Sequence, residues 1–384
     1  MQLERQKIST WLARGQALAQ RLGPVSRGAD WMEHLAALST GYRPDPEREQ
    51  QEPTYYDYPA LKEPVWRWEI VWYFFLGGLA AGCYFIASLA ALFGGPEDRA
   101  TRRIGYYLSL LALLPCPLLL IKDLGRPERF LNMLRMFKLR SPMSMGVWCL
   151  VSFSFFSGLS ALIQAARDQW LGRWWGARWL ARLPQRLLAL PGMALSLFLG
   201  GYTGVLLAAT SIPLWSRSKM LGAVFISSAI STSSALISLL LRLGAAPAAA
   251  LHKLERLEWG ALLSEMVGLL AFLRGSGRAA RALVGSGPDE HGPRFWRFVF
   301  VGGLLLPWLL QTGVLVMRRP LQREQASIRP AAGSAERNRL SLSGLLLSLL
   351  VLLGGYFLRR TIVEAGHSSS RDARTTLWHA RSPR

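Results

Sequence analysis

The sequence predicts an all-α polytopic membrane protein with eight transmembrane helices, and three observations carry that reading. Only 18% of the 384 residues are Asp, Glu, Lys or Arg, against 51% hydrophobic. The apolar length is gathered into eight stretches: 70–93, 104–121, 143–166, 187–216, 220–241, 259–273, 298–317 and 340–358. A single ionisable residue, Glu265, falls inside them. A bilayer core roughly 30 Å thick takes about 20 residues of helix, so seven of the stretches suffice on length alone. The same sorting excludes a soluble Rossmann enzyme. A net charge of +21 suggests nucleic acid at first sight, but the arginines line the loops between apolar stretches. There they meet lipid headgroups and acidic partner surfaces, so the bilayer is a partner and nucleic acid is not.

Residues 1–63 form a separate N-terminal region. From 3 to 22, Ile8, Trp11, Leu12, Leu18 and Leu22 recur at helical spacing among Arg5, Lys7, Arg14 and Arg21. That pattern suits a helix on a membrane surface and, equally, one packed on a partner subunit. Residues 43–59 (RPDPEREQQEPTYYDYP) read as an extended linker. The first 60 residues hold no apolar run of signal-peptide type, so insertion is expected to rest on the first span.

The membrane domain is expected over 64–360. In spans one and four, Gly78 and Gly82, then Gly200 and Gly204, stand four apart, a spacing that lets helix backbones approach closely. Between spans two and three, KDLGRPERFLNMLRMFKLRSP (122–142) places Pro127 in the first turn of a short helix. That helix should present Phe130, Leu131, Leu134 and Phe137 on one side and a basic outer face on the other. Span six is the shortest, with Glu265 at its centre. An ionised carboxylate there costs about 2.5–3.5 kcal/mol, so Glu265 is expected to rest as the neutral acid. The loop 274–297 reads as irregular, and 361–384 as a polar, disordered tail. Lys and Arg counted over all loops and termini favour cytoplasmic termini. Counted over the loops alone, the bias reverses, and both orientations stay open.

Metal and haem chemistry find little support. Cys83, Cys116 and Cys149 stand singly in the first three spans, outside any C-x-x-C pair, and read as small buried hydrophobes. His34, His252, His291, His367 and His379 all lie outside the eight stretches, so no axial pair for a membrane haem is available. The expected metal content is none, with no haem and no iron–sulfur cluster in this chain.

Polar and aromatic residues gather at the membrane face that holds the termini. Trp68, Glu69 and Tyr73 open span one, Lys122, Asp123 and Arg126 close span two, Ser141 and Pro142 start span three, and Trp215 ends span four. By themselves they fit an interfacial anchoring belt.

Three runs in this order, YFFLGGLAAG (73–82), DLGRPERFLNMLRMFKLRSPMSMGVW (123–148) and YTGVLLAATSIPLW (202–215), resemble the NrfD/polysulfide reductase membrane-subunit family. The likeness runs from about 64 to 358. The resemblance implies eight helices in two four-helix bundles, without haem or metal, in the cell inner (plasma) membrane. It implies a quinone (menaquinone or ubiquinone), a ferredoxin-like iron–sulfur partner subunit and, in many relatives, a molybdopterin catalytic subunit. It also implies a quinone site near the start of the first helix that includes a tyrosine, matched here by Tyr202. With the edge cluster this gives Trp68, Asp123, Arg126 and Tyr202 as quinone-binding residues. Some relatives carry a histidine near the start of helix one. Here that stretch is PVWRWEIVWY, with Glu69 the nearest proton-active group. Reducing a quinone in apolar surroundings needs protons along with electrons, and Glu69 and Glu265 are the expected proton relays. Two alternatives of other classes are a membrane anchor with no quinone site and a transporter using Glu265.

Overall fold

The computed structural model describes residues 61–244, 248–287, 290–325, 342–373 and 375–377. The amphipathic stretch 3–22 and the linker 43–59 lie outside the described residues. Every regular element among the described residues is helical. Seven helical segments among them are long and apolar enough to cross a membrane: Trp68–Leu92, Pro96–Asp123, Pro142–Arg167, Gln185–Ala208, Leu221–Leu243, Gly292–Leu315 and Ser343–Arg371. The chain is a multi-pass integral membrane protein.

Span one is α1 (Trp68–Leu92). Span two is broken: α2 (Arg99–Leu113) gives way to α3 (Pro115–Asp123). Pro115 has no N–H with which to continue the hydrogen-bond ladder, and Pro117 follows it. At the far end of α3, Gly125 takes φ +68, a left-handed turn that stops the helix, and its N–H donates to the Lys122 carbonyl (3.2 Å). Pro127 then opens the turn Pro127–Arg129, which leads into α4 (Phe130–Arg135). The helix expected through Phe137 therefore ends two residues early. Its apolar residues divide rather than share a face: Phe130, Met133 and Leu134 turn inward while Leu131 and Phe137 are exposed.

Spans three to five are α5 (Pro142–Arg167), α7 (Gln185–Ala208) and α8 (Leu221–Leu243), with the short α6 (Trp175–Arg182) between α5 and α7. The predicted span 259–273 lies inside α9 (Ala248–Ser276). The first half of α9 carries His252, Lys253, Glu255, Arg256 and Glu258, and Glu265 and Arg274 interrupt the rest, so it does not stand among the seven apolar spans. Span seven begins as widened π-type turns (Phe295–Leu305) and continues as α10 (Leu306–Gln325). The last helix, α11 (Leu342–Arg371), passes the boundary expected at 360. Ile362, Val363 and Ala365 are buried, so an apolar face continues through turns whose charged residues made them read as a tail.

At the centre stands α1, packed on α2, α3, α7, α8 and α11, while α8 also packs along α7, α9 and α11. Lipid tails are as apolar as leucine, so close backbone contact and interhelical hydrogen bonds hold such helices together. At Gly82 a Cβ would strike the Ala229 carbonyl of α8, and at Gly204 it would meet the Leu221 carbonyl at 2.5 Å. Several buried hydroxyls of α8 are satisfied locally or across helices, while Ser234 and Ser238 have no partner among the described residues. Thr232 donates to the Ser228 carbonyl (2.6 Å), and Ser233 reaches the Leu79 carbonyl of α1 (3.1 Å). Cys83, Cys116 and Cys149 are buried and unpaired, as small hydrophobes are. Trp215 departs from the anchoring-belt reading. It is fully buried, stacks on Trp66 with ring centroids 5.5 Å apart, and donates its indole N–H to the Ile362 carbonyl (2.9 Å).

Candidate functional site

A cavity opens where the start of α1, the end of α3, α4, the start of α5 and the end of α7 converge. Its volume is about 80 Å³. The wall is apolar for the most part, built from Ile70, Leu120, Met143, Leu206 and their neighbours. Four residues give it chemistry: Trp66, Tyr73, Asp123 and Tyr202. Sequence order explains the meeting. The left-handed turn at Gly125 reverses the chain so that α3 delivers Asp123 and the next helix delivers Phe130 and Met133 to the same space.

Tyr202 is 6% exposed, its ring stacks on Phe198 (6.0 Å), and its hydroxyl end lies against Gly146 of α5. A Cβ at Gly146 would overlap that ring, so only glycine leaves the tyrosine in its place. Tyr73 is 3% exposed. Among the described residues neither tyrosine hydroxyl has a hydrogen-bond partner, and the Asp123 carboxyl has neither hydrogen bond nor ion pair. Two hydroxyl donors and one carboxyl thus face a mostly apolar space with their hydrogen-bonding capacity unspent.

Of the residues expected from sequence, Asp123 and Tyr202 line this cavity; Trp68, Glu69 and Arg126 do not. Trp68 is exposed, with the Lys122 ammonium 4.2 Å from its ring centroid. Lys122 also sits 3.6 Å from the Glu69 carboxylate. Helical geometry accounts for this: Ile70 and Tyr73, three apart, take the inward face of α1, which turns Trp68 and Glu69 toward the rim. Arg126 is exposed on the loop. Trp66 has no helical period to reveal it, because it precedes α1. It is held in place by His367, whose Nε2 lies 2.7 Å from the Trp66 carbonyl. One turn further, Arg371 bonds Glu63 (2.7 Å) and holds that carboxyl below the usual carboxylate range.

Glu265 lies deep in the molecule, 1% exposed, and is not part of the cavity wall. Ser231 of α8 donates to it (2.8 Å). Near it, and unforeseen from sequence, is Arg359 of α11, also 1% exposed, whose charge acts on Glu265 through space without a direct ion pair. The Arg359 guanidinium donates to the carbonyls of Phe74 (3.0 Å) and Gly355 (2.8 Å) and to the Ser228 hydroxyl (3.0 Å). Phe74 is the neighbour of Tyr73, so one residue of α1 separates this buried charge network from the cavity wall. Seven residues before Glu265 on α9, Glu258 is buried too and accepts from Gln311 (2.7 Å).

A family model described as "Polysulphide reductase, NrfD" matches residues 58–368. The chain belongs to the NrfD family. Protein NrfD of Escherichia coli strain K12 is 30% identical over 286 residues, covering 65% of this chain and 85% of that protein. The C subunit of polysulfide reductase from Wolinella succinogenes is 32% identical over 177 residues, covering 44% of this chain and 55% of that one. The matched region takes in every residue of the cavity and of the buried Glu265–Arg359 network. NrfD-type proteins are membrane subunits of respiratory oxidoreductases, in keeping with the apolar helices seen here.

Proposed function

We propose that this chain is the quinone-reactive membrane subunit of a multi-subunit respiratory oxidoreductase in the cell inner membrane, and that the Tyr73–Asp123–Tyr202 cavity receives the quinone head group. The observation that carries the reading is the pair of hydroxyls on buried tyrosines and the carboxyl, unpartnered among the described residues, on an otherwise apolar wall. Apolar walls suit a ring and an isoprenoid chain, and the hydroxyls suit its two carbonyls. When bound, a menaquinone or ubiquinone would supply the two-electron, two-proton chemistry. Tyr73 and Tyr202 hold and orient the carbonyls, while Asp123 and, at the rim, Glu69 hold protons at their carboxyl oxygens. Glu265 serves as a deeper relay, supported by its link through Arg359 to the residue next to Tyr73, and this gives the subunit a means of translocating protons.

In this reading α9 is the eighth span, and the helices form two bundles of four. Support comes from α9 packing along α8 and from contacts that join α1 with α2 and α7, and α8 with α9 and α11. Tyr202→Phe is expected to raise the apparent quinone KM about two- to tenfold, the cost of one hydrogen bond. Unchanged kinetics would take Tyr202 out of the site, and absence of saturable quinone binding in the wild-type complex would leave a membrane anchor.

The electron donor or acceptor is a ferredoxin-like iron–sulfur subunit, with a molybdopterin subunit beyond it, docked on the loop that covers the cavity. Arg135, Lys138 and Arg140 are exposed there beside Phe137 and Leu139. Reversing those three charges together is expected to reduce co-purification of the iron–sulfur subunit, read by subunit stoichiometry. Full assembly would place the dock elsewhere.

A further inference from the structure

On the membrane face opposite the cavity, we infer that α6 and its lead-in form a binding surface for anionic phospholipid headgroups. This helix lies in the short connection from the end of α5 to the start of α7, both spanning helices, so it is held at headgroup level. It is also fixed in place. Arg167 at the end of α5 donates to the carbonyls of Ala181 (3.1 Å) and Leu183 (2.8 Å) and to the Gln185 side chain (2.8 Å). Ala177 is buried toward the protein.

The outward face alternates two residue types. Trp175, Arg178, Trp179 and Arg182 follow at steps of three, one and three, which puts them on one side of a helix, and all four are exposed. Trp170, Arg173 and Trp174 extend the patch. Indole rings favour the boundary between acyl chains and headgroups. Asp168 is the one acid between α5 and α7, and Arg103 (2.8 Å) and Tyr107 (2.6 Å) already occupy it. Among the described residues none of Arg173, Arg178 and Arg182 pairs with a carboxylate. Arg178 and Arg182 stand four apart on one helix face, where like charges repel. A phosphodiester above them removes that repulsion while the tryptophans fill the glycerol layer on either side. The alternation of rings and guanidinium groups matches a lipid layer, with its phosphates and apolar depth, better than the flat face of an acidic protein.

The test uses the full complex purified in detergent and titrated with phosphatidylglycerol or phosphatidylcholine of the same acyl chains, with melting temperature as the readout. Phosphatidylglycerol should half-saturate its stabilising effect at lower concentration. The triple variant Arg173→Gln, Arg178→Gln, Arg182→Gln should lose that advantage, each arginine contributing about fivefold, and should melt like wild type in phosphatidylcholine. The corresponding triple Arg→Lys variant should keep it, and with the wild-type titration it decides the matter if the Gln variant is poorly produced. Equal response of the wild type to both lipids would overturn the inference. So would a retained preference in the Gln variant, an equal effect from inorganic phosphate, or loss of an acidic subunit from the Gln variant's complex.

Discussion

Replacing Arg359 by leucine is expected to destabilise the membrane domain by about 3–5 kcal/mol, the cost of removing one partner from a buried charge network. The guanidinium is always charged and donates hydrogen bonds to α1, α8 and α11 at once. Its loss leaves the Phe74 carbonyl and the Ser228 hydroxyl short of a donor and Glu265 without its positive neighbour. Space adds to the effect: at Gly78 a Cβ would come within 2.6 Å of the Arg359 side chain, so α1 has left room for it. Thermal melting of the detergent-purified complex should show the loss. The double variant Arg359→Leu, Glu265→Leu should recover part of it, because removing both partners leaves neither polar group buried without the other. Wild-type melting of Arg359→Leu would mean that the guanidinium contributes nothing net.

Glu265→Gln is expected to assemble normally, bind quinone and turn over about 100-fold more slowly, within the range that positioned proton transfer contributes. Glutamine preserves the shape and still accepts from Ser231, as the 2.8 Å bond requires, but it cannot take up or release a proton. A slow variant should also lose the part of the pH–rate profile that belongs to this carboxyl, measured from about pH 5.5 to 8.5. Glu265→Leu distinguishes the alternative. If Glu265 only ties α8 to α9, Gln behaves like wild type, Leu lowers stability, and the relay is ruled out.

Much of the fold was legible because charge in a membrane protein is confined by solvation. Glu265 stood out against its apolar stretch, and Pro127 marked the start of the short helix after span two. What escaped did so where a local rule met tertiary packing. Arg359 followed an apolar run and looked like its end, yet the helix continues because Ile362 and Val363 keep it in the core. Trp215 had the sequence of an interfacial anchor, but Trp66 and Ile362 close over it. In α9 the charges of the first half hide a long helix, since Arg242 and Glu255 pair across helices (2.7 Å) and Gln311 serves Glu258. At the cavity, Asp123 came from the polar residues at the span edges and Tyr202 from the resemblance, and both line its wall. Tyr73 and not Glu69 completes it, because only the inward face of α1 reaches that space.

The bond between His367 and the Trp66 carbonyl joins residues 301 positions apart. One wall of the cavity is thus fastened by almost the last turn of α11. Synthesis runs from the N-terminus, so Trp66 enters the membrane surface long before its fastener exists. Until α11 is inserted, Trp66 has Trp215 to stack on but lacks the His367 contact that fixes its carbonyl. The cavity wall at Trp66 is therefore completed only once α11 is in place.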